Sequence, residues 1–262
     1  MIRLMKIEIK KLSKSLAFKI IAGLIILTVV MNLGIYGMVK IIDMPEVNAA
    51  LEMSGLTLSG NMMFRSLIAS PSGDVMLFSV ILLCILIGSD FSSKTLQGQI
   101  TAGYSRMTVA VSRLFTGIII FTFFTVVYVG ANTIGMSIIF GFGEKFTAAV
   151  AGDMLGRFVL HLISSIALIS IYWLIIMSVK SIGASIGICL PTLMVGVILL
   201  QTLSGLFKVA KKIIDWTPYG IASIPAETLD ASKIVRLLVV SVLTLVITIG
   251  INKITFDKAE LK

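Results

Sequence analysis

The chain has 262 residues, 57% of them hydrophobic and only 13% charged, with a mean hydropathy of +1.06 and a formal net charge of +9. A soluble domain carries about a quarter charged residues, so this composition excludes an ordinary soluble enzyme or nucleic-acid-binding module and points to an all-α integral membrane protein. The basic excess implies no nucleic acid, because a bilayer gathers lysine and arginine on one side of a multi-span protein.

Residues 1–16 carry the clearest period. Ile2, Met5, Ile9, Leu12 and Leu16 follow spacings of three and four, while Arg3, Lys6, Lys10, Lys11 and Lys14 fall on other faces. The pattern predicts an interfacial helix, its stripe in the acyl boundary and its lysines at anionic headgroups. A purely topological basic signal is the alternative. With no small-residue cleavage site after the apolar run that follows, that run reads as a retained anchor.

Six uncharged or nearly uncharged runs then predict six spans. They are 20–39; 75–89, extended backward through 66–73; 114–143; 158–179, with His161; 181–207; and 237–252. Pro191 should kink or break the fifth. Six spans place both termini on one side, with the 90–113 loop and Lys180. That side holds 13 Lys/Arg against four acids, Glu8, Asp90, Asp257 and Glu260, and the other side nine against nine. The positive-inside rule makes the basic side cytoplasmic. Lys208, Lys211 and Lys212 run against it, falling on the outer side.

The outer segment 40–73 contains Pro45 and no strong period, and reads as a loop with some helix. Segment 206–232 is more regular. Leu206, Phe207, Ala210, Ile213 and Ile214 form an apolar face, WTPYG breaks the helix, and IASIP follows. This predicts paired short interfacial or re-entrant helices.

The stretch GSDFSSKT, residues 88–95, comes within one residue of the P-loop pattern G-x-x-x-x-G-K-[ST]. A P-loop needs glycines that wrap backbone N–H groups around phosphates at a helix N-terminus, after a strand. Here Ser93 replaces the second glycine and the preceding residues belong to a span, so no ATP site is expected in this chain. The continuation, DFSSKTLQGQITAGYSRMTVAVSRL, predicts a short helix at 91–104 between spans two and three. Leu96, Ile100 and Gly103 share one face, suited to dock in another protein's groove.

Phe91, Thr95, Leu96, Ile100, Gly103, Ser105, Arg106, Ser112, Arg113 and Leu114 stand in an order that resembles the signature of ABC-2-type transporter permeases. The N-terminal helix, the span count and the paired outer helices extend the likeness over the whole chain at pattern level. The resemblance implies a single transmembrane domain over 1–262 in a bacterial plasma membrane. It further implies a second permease chain, as homodimer or heterodimer, and a separate ATPase subunit that holds ATP and magnesium. Segment 92–103 would be the coupling helix that rides in a cleft of the ATPase, with Phe91, Ser92, Lys94, Thr95, Leu96, Gln97, Ile100, Gly103 and Ser105 at or near the contact. Arg106 would secure the segment electrostatically, and Lys180 and Ser181 would form a second contact. Many relatives carry glycine where this chain has Lys94.

Other polar residues in the spans have two readings each. His161 suits a proton relay, or more commonly a hydrogen-bonded interfacial histidine. Asn132, Thr133, Gln201 and Thr202 could line a substrate path or join helices. Gly183 and Gly187 form a GxxxG for close helix contact. Cys84 and Cys189 read as buried and inert, and no metal site or hydrolytic constellation is expected.

Three functions compete. The first is an exporter permease for a hydrophobic or amphipathic cargo, a peptide, toxin or antibiotic being preferred from the resemblance. The second is a secondary transporter or channel, which needs coupling charges that the spans lack. The third is a membrane immunity or binding protein that uses its outer helices. Dependence on a partner ATPase separates the first from the others.

Overall fold

A computed structural model describes residues 2–42, 58–70 and 73–257. Ten α-helices and one 3₁₀ turn are formed among the described residues, with no strand. In chain order they are α1 (Ile2–Lys14), α2 (Leu16–Ile42), α3 (Gly60–Ala69), α4 (Asp74–Ser92), α5 (Thr95–Thr101), α6 (Arg106–Phe140), α7 (Ala148–Val179), α8 (Ile182–Leu206), α9 (Lys208–Ile214), the 3₁₀ turn (Ile221–Ala226) and α10 (Ala231–Asp257). Six of them, α2, α4, α6, α7, α8 and α10, are long and apolar enough to cross a membrane. Pro45, Lys258, Glu260 and Lys262 lie outside the described residues.

The span boundaries differ from the sequence reading where charge was taken to mark an end. Span three begins at Arg106 rather than at 114, span four at Ala148 rather than at 158, and span six at Ala231 rather than at 237. Each helix carries charged residues inside its first turns because those residues find partners. Span two does not extend back through 66–73. That stretch contributes to the separate helix α3, capped by the Ser59 side chain, which accepts from Met62 N at 3.2 Å. Pro191 does not break α8, which runs through it without interruption. The second piece of segment 206–232 is a 3₁₀ turn rather than an α-helix, with Pro225 inside it.

The core lies where α4, α6, α7 and α8 meet. Trp173, Tyr172, Phe121 and Phe124 are its largest fully buried side chains, and the Trp173 indole donates to Ala110 O at 3.2 Å. Cys84 and Cys189 are free thiols buried in this same core. The helix α10 packs along α7, and α2 lies against α4 and α6. By contrast, α2, α8 and α10 leave long apolar faces uncovered, such as Ile26, Val30, Ile198 and Val246, as lipid-facing helices do.

The two ends of the bundle are built differently. At one end α1 and α5 lie against the end of α4 and the start of α6. At the other end α3 and the 3₁₀ turn pack on α6, α7 and α10. There α3 sits so close to α6 that a Cβ at Gly60 would fall 1.9 Å from Ser137 Oγ. Arg157 secures the turn: its Nη1 donates to Pro225 O at 3.0 Å and Glu227 O at 2.6 Å, and its Nε pairs with Asp153 at 2.7 Å.

Segment 206–232 is thus two unlike pieces. Ile221, Ala222, Ile224 and Pro225 are buried, whereas α9 buries none of its residues. The turn between them needs Gly220, where a Cβ would lie 2.0 Å from Ile214 O.

Candidate functional site

The short helix α5 is mounted on the rest of the protein by its apolar side. Leu96 is 1% exposed and packs with Leu4 of α1 and Val109 of α6, flanked by Phe91, Ile100 and Tyr104. The sequence reading puts Leu96, Ile100 and Gly103 on a face for docking elsewhere. The structure turns Leu96 and Ile100 inward, because three neighbouring helices offer them an apolar seat, and leaves Gly103 exposed. What α5 and its flanks present outward is small and polar: Ser92, Ser93, Lys94, Gly98, Thr101, Ala102 and Gly103 are exposed.

Both ends of α5 are defined by backbone. The helix spans Thr95–Thr101, shorter than the 91–104 expected, because α4 continues through Phe91 and Ser92. The Ser92 hydroxyl donates to Gly88 O at 3.0 Å, and the Ser93 and Thr95 hydroxyls lie 2.7 Å apart across the turn. Lys94 enters α5 in the left-handed conformation, φ 56°. At the far end Gly103 has φ +93°, with Gly103 N donating to Ile100 O and Tyr104 N to Gln99 O. These two bonds make a Schellman cap, which places glycine at this position. Ser105 then caps α6 by accepting from Thr108 N at 3.2 Å, and Arg106 is half-buried in the first turn of α6. Gln97 is half-buried on α5.

Beneath this mount lies a buried ion network. The Arg113 side chain of α6 is fully buried; its Nη1 is 2.9 Å from Glu8 Oε1 of α1, and its Nε is 2.7 Å from Asp90 Oδ2 of α4. Arg113 Nη2 also donates to Gln99 Oε1 of α5 at 3.1 Å, and Gln99 Nε2 donates to Glu8 Oε1 at 3.3 Å. Lys11 of α1 completes the charge balance, its Nζ 2.5 Å from Asp90 Oδ1. One guanidinium therefore ties α1, α4, α5 and α6 together. Burial pushes the Glu8 carboxyl above its ordinary range; Arg113 opposes the shift and Asp90 adds to it.

In the sequence reading Glu8 and Asp90 count only among the acids of the basic side, and Arg113 only marks the start of the third span. A signal for Glu8 was present: it is the only acid in the first 42 residues, spaced four from both Leu4 and Leu12. Those three residues, all buried, form the face of α1 that packs inward. The expected stripe is divided: Leu12 is buried on this inward face and Met5 is half-buried, while Ile9 and Leu16 are exposed.

The second cytoplasmic turn of the sequence reading meets the same end. Lys180 closes α7 in the left-handed conformation, φ 58°, and Ser181 leads into α8. There Gly88 of α4 approaches so closely that a Cβ would stand 3.0 Å from both the N and the Cα of Ile182. This explains the first glycine of GSDFSSKT. Residues 88–92 are helical, their backbone committed to α4, and Gly88 serves a helix crossing.

The remaining candidates are not brought together. Asn132 is fully buried on α6, donating to Tyr128 O at 2.9 Å, and Thr133 lies beside α3. Gln201 and Thr202 are exposed on α8; Gln201 borders a cavity of about 160 Å³ with Lys211, Asp215 and Tyr219. Within one chain these four do not form a common path. A Cβ at Gly183 or Gly187 would meet nothing within 4 Å, so the GxxxG makes no close helix contact here. His161 is buried on α7, with Nδ1 3.1 Å from Ile68 O. Lys208, Lys211 and Lys212 lie on the exposed α9. No family model matches this chain, and no curated protein sequence matches it.

Proposed function

We propose that the chain is the transmembrane permease subunit of an ATP-driven ABC exporter, with the α1 end cytoplasmic and α5 as its coupling helix. The observation that carries the reading is the mount of α5. A seven-residue helix has almost no stability of its own in water. Here it is fixed by Leu96 below and by Gln99 to a guanidinium shared with α1, α4 and α6. A force applied to its exposed polar face is thereby delivered to two spans and the interfacial helix at once.

In this reading a separate ATPase binds ATP and magnesium and seats the outward face of α5, with the Lys180–Ser181 turn as a second contact. Gly88 couples that turn to α4, so both contacts move the same spans. Two permease chains line the route for a hydrophobic or amphipathic cargo, a peptide, toxin or antibiotic. The lysines of α1 hold the mount at anionic headgroups on the cytoplasmic side.

The test uses a single cysteine at Gly98, which is exposed and whose Cβ would meet nothing, on a chain whose two native thiols are buried. A maleimide photocrosslinker placed there in native membranes should capture a P-loop ATPase. Capture of lipid alone, with that ATPase present in the membranes, would contradict the reading.

A further inference from the structure

A cavity of about 210 Å³ opens at the α3 end, between α3, α4, α6 and α7, far from the α5 mount. Ser66, Ser70 and Asp74 are exposed at its border, while Phe121, His161 and Ser165 are buried in its wall. Its polar groups are oriented by their partners. A carbonyl can only accept, so the contact with Ile68 O places the His161 proton on Nδ1 and leaves Nε2 an acceptor. The Tyr128 hydroxyl donates to Asp74 Oδ2 at 2.6 Å and accepts from Asn32 Nδ2 at 2.9 Å, and Asp74 Oδ1 has no hydrogen-bond partner among the described residues. Among the described lining residues Asp74 is the only charged one.

The cavity therefore offers an anion, a ring-nitrogen acceptor and a serine hydroxyl, with an apolar remainder. Among the described lining residues there is no cation for a carboxylate or phosphate. We propose that it binds a primary ammonium group on a short alkyl chain. The ammonium has three donors, and Asp74, His161 Nε2 and Ser165 Oγ are the acceptors it would use. The alkyl chain lies against Val75, Val129 and the Phe121 ring, whose face also attracts a cation. The volume corresponds to about seven waters, which suits a chain of a few carbons. This site is independent of the export reading.

The test titrates butylammonium into the full-length protein in nanodiscs of phosphatidylcholine and phosphatidylglycerol, with butanol and butyrate as controls. Butylammonium should raise Tm saturably, and the two controls should not. Asp74→Asn and His161→Asn should each weaken binding at least tenfold; the asparagine amide at 161 can still donate to Ile68 O. Ser165→Ala, a milder change, should weaken it about threefold and serves if either of the others fails to fold. Equal shifts with butanol, or wild-type affinity in the folded variants, would overturn the site. Adding phosphatidylethanolamine to the discs separates the sources. Loss of the butylammonium response assigns the site to a lipid amine, and an unchanged response assigns it to a soluble one.

Discussion

Arg113 Nη1 lies 2.9 Å from Glu8 Oε1, with both side chains sealed from solvent, and this contact joins the N-terminal helix to the third span. A buried pair contributes little net stability over a well-packed apolar one, but breaking it by removing one partner is expensive. Arg113→Gln would leave both Glu8 and Asp90 without their guanidinium, and should cost about 3–5 kcal/mol. Glu8→Gln keeps a carbonyl acceptor for Arg113 and should cost under about 1.5 kcal/mol. Denaturation of the purified protein in detergent checks the order; equal losses would mean that the guanidinium does not organise the mount.

The same carboxyl makes stability depend on pH. Because burial raises Glu8, the folded protein binds its proton more tightly than the unfolded chain does. That contribution is full below about 4.5 and is lost as pH rises through the higher folded value. Between those two values, wild-type stability should fall with rising pH and the Glu8→Gln profile should be flatter. Parallel Tm profiles for the two proteins would contradict this.

Gly88 and Gly183 should respond oppositely to a methyl group. At Gly88 the added Cβ meets the backbone of Ile182, so Gly88→Ala should destabilise by about 1–3 kcal/mol. At Gly183, helical and open, Gly183→Ala should be neutral or stabilise by up to about 1 kcal/mol. Thermal unfolding of both variants in the same discs measures the contrast.

Lys94 holds a left-handed conformation that glycine adopts without cost. Lys94→Gly should therefore stabilise the α4–α5 turn by about 1 kcal/mol, while Lys94→Val, β-branched, should destabilise it by a similar amount. Hydrogen exchange of the α5 amides reports the change locally. Faster exchange in the glycine variant would show that the lysine side chain matters more than its backbone.

The spans were legible because hydropathy is a one-dimensional signal, and each of the six expected runs overlaps one helix. Their ends were less legible: Arg113 and Arg157 read as boundaries in sequence, yet lie within helices because Asp90 of α4 pairs with the first and Asp153, one turn away, with the second. The α5 segment was located by the shared face of Leu96, Ile100 and Gly103 between two spans, but its orientation was not. Periodicity shows that Leu96 and Ile100 share a face; it does not show whether that face meets this chain or another. The buried network was invisible for a similar reason, since Glu8, Asp90, Gln99 and Arg113 come together only when four helices pack.

The central claim is that the outward face of α5 receives a separate ATPase. The most direct measurement is mild solubilisation from native membranes, with quantification of what co-purifies with wild-type protein, Gly98→Trp and Arg106→Glu. The account predicts a stoichiometric P-loop ATPase with the wild type, lost in both variants while each inserts normally and Gly98→Trp keeps the wild-type Tm. Wild-type protein recovered with no ATPase, or an ATPase retained by both variants, would contradict it.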